Sequence, residues 1–311
     1  MVPEMSSKTP IQPTGSGPSG ETSPGPHGTQ HERARLDPGL YIVSTPIGNL
    51  RDITLRALDI LSTADEVLAE DTRVARKLLD AHGIRARLSP YHDHNGAARR
   101  PDLLKRLGEG ATLALISDAG TPLVSDPGWK LVHEAREAGV RVIPVPGASA
   151  MLAGLVASGL PSDQFMFCGF LPVKSGQRKR AAEALRPVPS TLIFYEGGSR
   201  LAACLRDLAE VFGAEREAVV ARELTKLFEE VRGAPLGELA AHYEDAGPPK
   251  GEIVLLLGPP PEQTADAVDV DAALRDAMER LPLKAAANEV AGTYGLSKRD
   301  AYQRALQLKD G

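Results

Sequence analysis

Short apolar runs recur along the chain, each four to six residues long and each followed by a loop of Gly, Pro and small polar residues and then by a stretch of helical periodicity. Leu40 to Ser44 reads as the first strand, and Asp52 caps a helix whose Leu55, Leu58 and Leu61 share one face. Glu66 to Ala69 is a second strand, and the step Glu70 to Arg73 enters a helix stopped at Gly83. Leu113 to Ile116 follows as a buried strand. Its helix runs from Pro127 to Gly139 with Asp126 as the expected N-cap, and Val140 to Val145 is the next strand. This alternation predicts a mainly parallel sheet covered on both faces.

A small-residue helix, Ala148 to Ser158, separates this half from a second cycle of the same kind. Strands are expected at Gln164 to Cys168, Thr191 to Tyr195, Ala218 to Ala221 and Ile253 to Leu257, with helices at Gln177 to Leu185, Ser199 to Gly213 and Leu236 to Tyr243. After Pro259 to Pro261 the pattern is purely helical: Asp271 to Leu281, Leu283 to Thr293 and Ser297 to Leu308. The last two, joined across Tyr294-Gly295-Leu296, fit either a helix-turn-helix or a helical cap on the second domain. The expected organisation is a disordered leader (1–37), an N-terminal α/β domain (38–158), a C-terminal α/β domain (159–260) and a helical domain (268–311). The leader is nearly free of large apolar side chains. Its G-S-G-P-S-G matches a dinucleotide fingerprint in letters only, with no strand before it and no helix after it.

Composition narrows the function classes. A formal net charge of -5 over 311 residues excludes binding to nucleic acid through overall positive charge, so any RNA contact must rest on local patches. The two cysteines, Cys168 and Cys204, form no C-x-x-C, which fits a reducing cytoplasm, and no apolar run approaches membrane-spanning length. Four loops after strands (Thr45 to Leu50, Asp118 to Gly128, Pro146 to Ala150 and Tyr195 to Gly198) predict one ligand cleft at strand ends. None carries a P-loop, and no G-x-G-x-x-G follows a strand.

Six segments in order, S-T-P-I-G-N-L-R-D-I-T, A-E-D-T-R, S-D-A-G-T-P-L-V-S-D-P-G, P-V-P-G-A-S-A, F-C-G-F-L-P and F-Y-E, resemble the tetrapyrrole-methylase superfamily of S-adenosylmethionine-dependent methyltransferases over about residues 39 to 258. Within it they are similar to the branch that 2′-O-methylates a cytidine of small-subunit (16S) ribosomal RNA. The resemblance implies a methyl donor, S-adenosylmethionine, held between two α/β domains, commonly in a homodimer. By position, Pro46, Gly48, Asp118, Gly120, Thr121, Ser149, Ala150 and Tyr195 are expected to line the donor site. Ser117-Asp118-Ala119 stands where many members have G-D-P, a departure shared by the RNA branch.

A ribose 2′-hydroxyl is a weak acid, so a base or cation is expected nearby. Candidates are Glu70, Asp71 and Arg73, then Lys174, and Glu223 with Lys226. Read as an extended segment, His92-Asp93-His94-Asn95 puts both imidazoles on one side. With no third ligand no metal site is expected, and His92 and His94 are read as an RNA-contacting or donor-lining loop. The cluster Lys174, Arg178, Lys179, Arg180 and Arg186 is a candidate RNA contact, Arg178, Lys179 and Arg180 foremost. The alternatives are a methylase of tetrapyrroles or other small molecules, and a donor-sensing regulator that binds nucleic acid without turnover.

Overall fold

In the computed structural model, residues 36–260 and 267–310 are described. The reading of residues 1–37 as a leader therefore lies, apart from its last two residues, outside them. The first half runs β1 (Gly39–Val43), α1 (Leu55–Thr63), β2 (Glu66–Ala69), α2 (Thr72–Ala81), β3 (Leu88–Pro90), α3 (Asp93–Gly108), β4 (Thr112–Ile116), α4 (Trp129–Glu137), β5 (Val142–Val145) and α5 (Ala150–Ser158). Its sheet, ordered β3-β2-β4-β1-β5, is parallel throughout. Burial on both faces explains the nearly continuous apolar runs: Tyr41, Val43, Val67, Ala114 and Ile116 pack one way, and Leu40, Ile42, Leu68, Leu113 and Leu115 the other.

The second half continues with β6 (Phe165–Phe170), α6 (Ser175–Leu185), β7 (Thr191–Gly197), α7 (Leu201–Phe212), β8 (Glu217–Arg222), β9 (Glu230–Pro235), α8 (Leu236–Asp245) and β10 (Glu252–Leu257). Its sheet is ordered β6-β7-β10-β8-β9. Only β6 and β7 run parallel; the other three pairings are antiparallel. One face, with Leu192, Phe194, Val220 and Leu255, packs on α7 and α8, while Ile193, Val219, Val254 and Leu256 meet Ile47 and Leu155. Ile47 comes from the loop after β1, so that loop is anchored on the second sheet. Helices α9 (Ala267–Arg280), α10 (Leu283–Tyr294) and α11 (Lys298–Asp310) share a core of their own built on Leu274, Ala287, Val290 and Ala305.

Three local readings are corrected. Thr54, not Asp52, caps α1, its hydroxyl accepting the Ala57 N–H at 3.1 Å. His92 to Asn95 is not extended: His92 is the N-cap of α3, and the Asn95 side chain accepts the His92 backbone N–H at 2.9 Å. Helix α4 starts at Trp129 with Gly128 as N-cap, so Asp126 and Pro127 do not punctuate it. Gly128 has φ 126, and a Cβ there would meet Leu115 and Leu123 side-chain carbons at 2.8 Å; only glycine fits the cap.

Candidate active site

Three loops at the carboxyl ends of β1, β4 and β5 are tied together by short-range bonds. The Thr45 N–H donates to the Gly120 carbonyl at 2.8 Å, and the Gly120 N–H returns a bond to the Thr45 carbonyl at 3.1 Å. The Thr121 hydroxyl donates to the Ala148 carbonyl at 3.1 Å and lies 3.1 Å from Ser44 Oγ. Gly120 sits at φ 80, and a Cβ there would press on Ile47 at 3.2 Å. The β4–α4 loop also carries positive φ at two non-glycine residues, Leu123 (73) and Ser125 (63). Such backbone persists only where the surroundings over-determine it, as they do at ligand sites.

These loops and the facing edge of the second sheet enclose a cavity of about 310 Å³. Glu70, Asp118, Gly120, Thr121 and Asp126 come from the first half, Ser149 and Ala150 from the start of α5, and Phe170, Tyr195, Leu224 and Val254 from the second. Tyr195 is held edge-on between Phe167 and Phe170, with ring centroids 4.8 and 5.6 Å away. Among the described residues no Lys or Arg lines the cavity, while five acidic residues do: Glu196 and Glu252 are paired with Arg200 and Lys226, and Glu70, Asp118 and Asp126 converge from the first half. The consequence shows in their acidity. Partial burial, with Glu70 and Asp118 nearby, pushes the Asp126 carboxyl up to about 6, and burial followed by Asp118 and Asp93 raises Glu70. Asp118 Oδ1 accepts the Asp71 N–H at 3.0 Å, which joins the β2 and β4 loops.

Of the expected donor-lining residues, Asp118, Gly120, Thr121, Ser149, Ala150 and Tyr195 meet at this cavity. Pro46 and Gly48 do not line it. Gly48 instead lies against Thr225 and Lys226, where a Cβ would meet the Lys226 side chain at 2.5 Å. Of the candidate bases only Glu70 faces the cavity. Arg73 is exposed and bound to Asp71 at 2.6 Å, Lys174 stands exposed at the N-terminus of α6, and Glu223 is paired with Lys226 at 2.8 Å.

The basic cluster is not one surface. Arg178 is 4% exposed and turned inward, its Nε donating to Asp207 at 2.8 Å, so the expectation that it contacts RNA is overturned. Lys179 is engaged with Glu210 and Asp207, and Arg180 alone of the three is exposed. His92 and His94 sit with ring centroids 5.9 Å apart at the start of α3, beside a second cavity. Sequence reasoning missed Asp126, Phe170 and Leu224. For Asp126 the misleading signal was the D-P-G sequence, which reads as a cap when the glycine is the cap.

A family model described as Tetrapyrrole (Corrin/Porphyrin) Methylases matches residues 39–240, and one described as RsmI C-terminal HTH domain matches residues 264–309. The chain is 54% identical over 275 residues to a ribosomal RNA small subunit methyltransferase I of Mesorhizobium japonicum, covering 88% of this chain and 94% of that protein. It is 48% identical to the protein of the same name from Escherichia coli O157:H7, covering 89% and 98%. In fold it is similar to a diphthine synthase (TM-score 0.56, 18% identity, 70% of this chain and 89% of that one). A uroporphyrin-III-C-methyltransferase from Thermus thermophilus aligns with TM-score 0.51 at 24% identity, covering 70% and 93%.

Proposed function

This chain belongs to the tetrapyrrole (corrin/porphyrin) methylase family, among its ribosomal RNA small subunit methyltransferases, and on that premise we propose that it methylates the 2′-hydroxyl of a cytidine in 16S ribosomal RNA. The observation that carries the reading is identity near one half, sustained over almost nine-tenths of the chain, with relatives bearing that methyltransferase name.

The cavity suits S-adenosylmethionine, which carries a sulfonium and an ammonium against one carboxylate. Five acidic side chains and, among the described residues, no basic one would meet a net positive ligand, and Gly120 lets backbone approach it. When bound, the donor supplies a methyl group already activated by the positive sulfur. The protein's own tasks are to align the acceptor oxygen and to take its proton. Asp126 takes that proton: it lines the cavity, and a carboxyl near 6 is ionised at neutral pH yet more basic than an ordinary aspartate. Glu70 stands beside it, and Asp118, held by the Asp71 N–H, accepts from the donor's amino or ribose groups.

The protein acts in the cytoplasm as a homodimer. Leu152 and Val156, four residues apart on α5, and Phe165 and Met166 on edge strand β6 are exposed apolar surface that a second copy would cover. Tritiated donor incubated with purified small ribosomal subunits tests the reading. Label is expected in RNA with wild-type protein and at least tenfold less with Asp118→Ala, whereas RNA without label would refute it.

A further inference from the structure

Beside the donor cavity lies a second one, of about 280 Å³, between the N-terminal ends of α3 and α4. Its walls include Tyr91, His92, Asp93, Arg100, Trp129 and Lys130. Trp129, the only tryptophan in the chain, is 60% exposed, with Lys130 Nζ 5.7 Å from its ring centroid and the His133 ring at 6.3 Å. A large indole left open to solvent at a cavity edge is a stacking platform. Arg100 is already committed, donating to Glu134 at 2.7 Å. Among the described residues the polar groups here without a hydrogen bond or ion pair are the Lys130 ammonium, which lies over the indole, the exposed Asp93 carboxylate, and His92 Nδ1, a buried atom. A carboxylate that accepts, beside an aromatic face, is the combination that reads the exocyclic amine of cytosine.

The two cavities are neighbours. Both are lined from one loop, Asp126 in the donor cavity lying two residues before Gly128 in the second. His92 and Asp93 are also close enough to Glu70 to act on its carboxylate. Resting on the methyltransferase reading above, we propose that the second cavity seats the cytosine of the acceptor nucleotide, stacked on Trp129 with its amine on Asp93. The ribose then points at Asp126 and the donor. Extrusion of the nucleotide from its RNA context gives the hydroxyl its approach.

Steady-state methylation of small ribosomal subunits by Trp129→Ala, Trp129→Phe and Asp93→Asn tests this, with donor affinity measured by calorimetry in each. Trp129→Ala should raise KM for subunits about tenfold or more, leaving donor Kd unchanged, and Trp129→Phe should restore KM to within about threefold of wild type. Asp93→Asn should lower kcat/KM about tenfold. A wild-type KM in Trp129→Ala, or unchanged kcat/KM in Asp93→Asn, overturns the proposal. Fluorescence separates it from the reading on which it rests. Oligocytidylate, titrated into wild-type protein saturated with S-adenosylhomocysteine, should quench Trp129. Quenching without any ribose methylation would sink the activity and leave the seat standing; methylation with wild-type KM in Trp129→Ala and no quenching would do the reverse.

Discussion

Replacing Asp126 with Asn keeps the side chain's shape and removes its charge, and the structure fixes both the sign and the size of the effect on stability. In the folded chain the carboxyl titrates at about 6 rather than at an ordinary 3.8, chiefly because burial disfavours the ion and then because Glu70 and Asp118 repel it. A carboxyl whose pKa rises on folding destabilises the native state when ionised. The cost is absent below about pH 3, grows chiefly between about 4 and 6, and is complete above. At about 1.4 kcal/mol per pH unit the gap corresponds to an upper limit of about 3 kcal/mol. Because Asp126 keeps part of its contact with water, about half of that, roughly 1.5 kcal/mol, is the expected value. Asp126→Asn should therefore be more stable than wild type by that amount at pH 8, by about half as much at pH 5, and by only about a fifth as much at pH 4. Urea unfolding followed by circular dichroism at the three pH values measures it. In the same variant methyl transfer should fall at least tenfold, since an amide takes no proton. A variant less stable than wild type at pH 8, or a gain independent of pH, would refute the reasoning.

Other consequences follow from the same contacts. Asp207→Ala leaves the buried Arg178 guanidinium without its carboxylate and should cost about 3 kcal/mol in urea unfolding, with donor affinity unchanged where the variant is folded. Gly120→Val forces a β-branched residue into φ 80 against Ile47, and should lower stability by about 1–3 kcal/mol and donor affinity at least tenfold by calorimetry. Phe170→Ala removes a side chain that is 60% exposed yet lines the cavity proposed for the donor. Its stability should stay within about 0.5 kcal/mol of wild type while donor binding weakens by about 1 kcal/mol.

The parallel sheet was legible because its inner strands are buried on both faces, so β1, β2 and β4 are nearly continuous apolar runs, broken only by Glu66 and Thr112 at the starts of β2 and β4. Edge strands lack that signature. β3 is Leu-Ser-Pro, and β9 carries Glu230 and Arg232 with Val231 exposed, so neither run stands out from a loop. Missing β9 concealed the antiparallel character of the second sheet. Helix α3 holds Gly96 and Pro101 inside it and buries leucines only toward its end, at Leu103 and Leu107, so its first turns read as extended chain. The cavity-lining residues on the β4 loop and at the start of α5 were legible through their small, φ-permissive sequence. The buried Arg178 was not, since its partner Asp207 lies 29 residues away on another helix and a charge run looks the same solvated or paired.

The central claim is the chemistry at the ribose. Small ribosomal subunits incubated with the protein and S-adenosylmethionine, then digested to nucleosides and examined by mass spectrometry, should gain 2′-O-methylcytidine. At that position the RNA backbone should resist alkaline hydrolysis. A methyl group carried on a base, with the backbone still cleaved there by alkali, would contradict it.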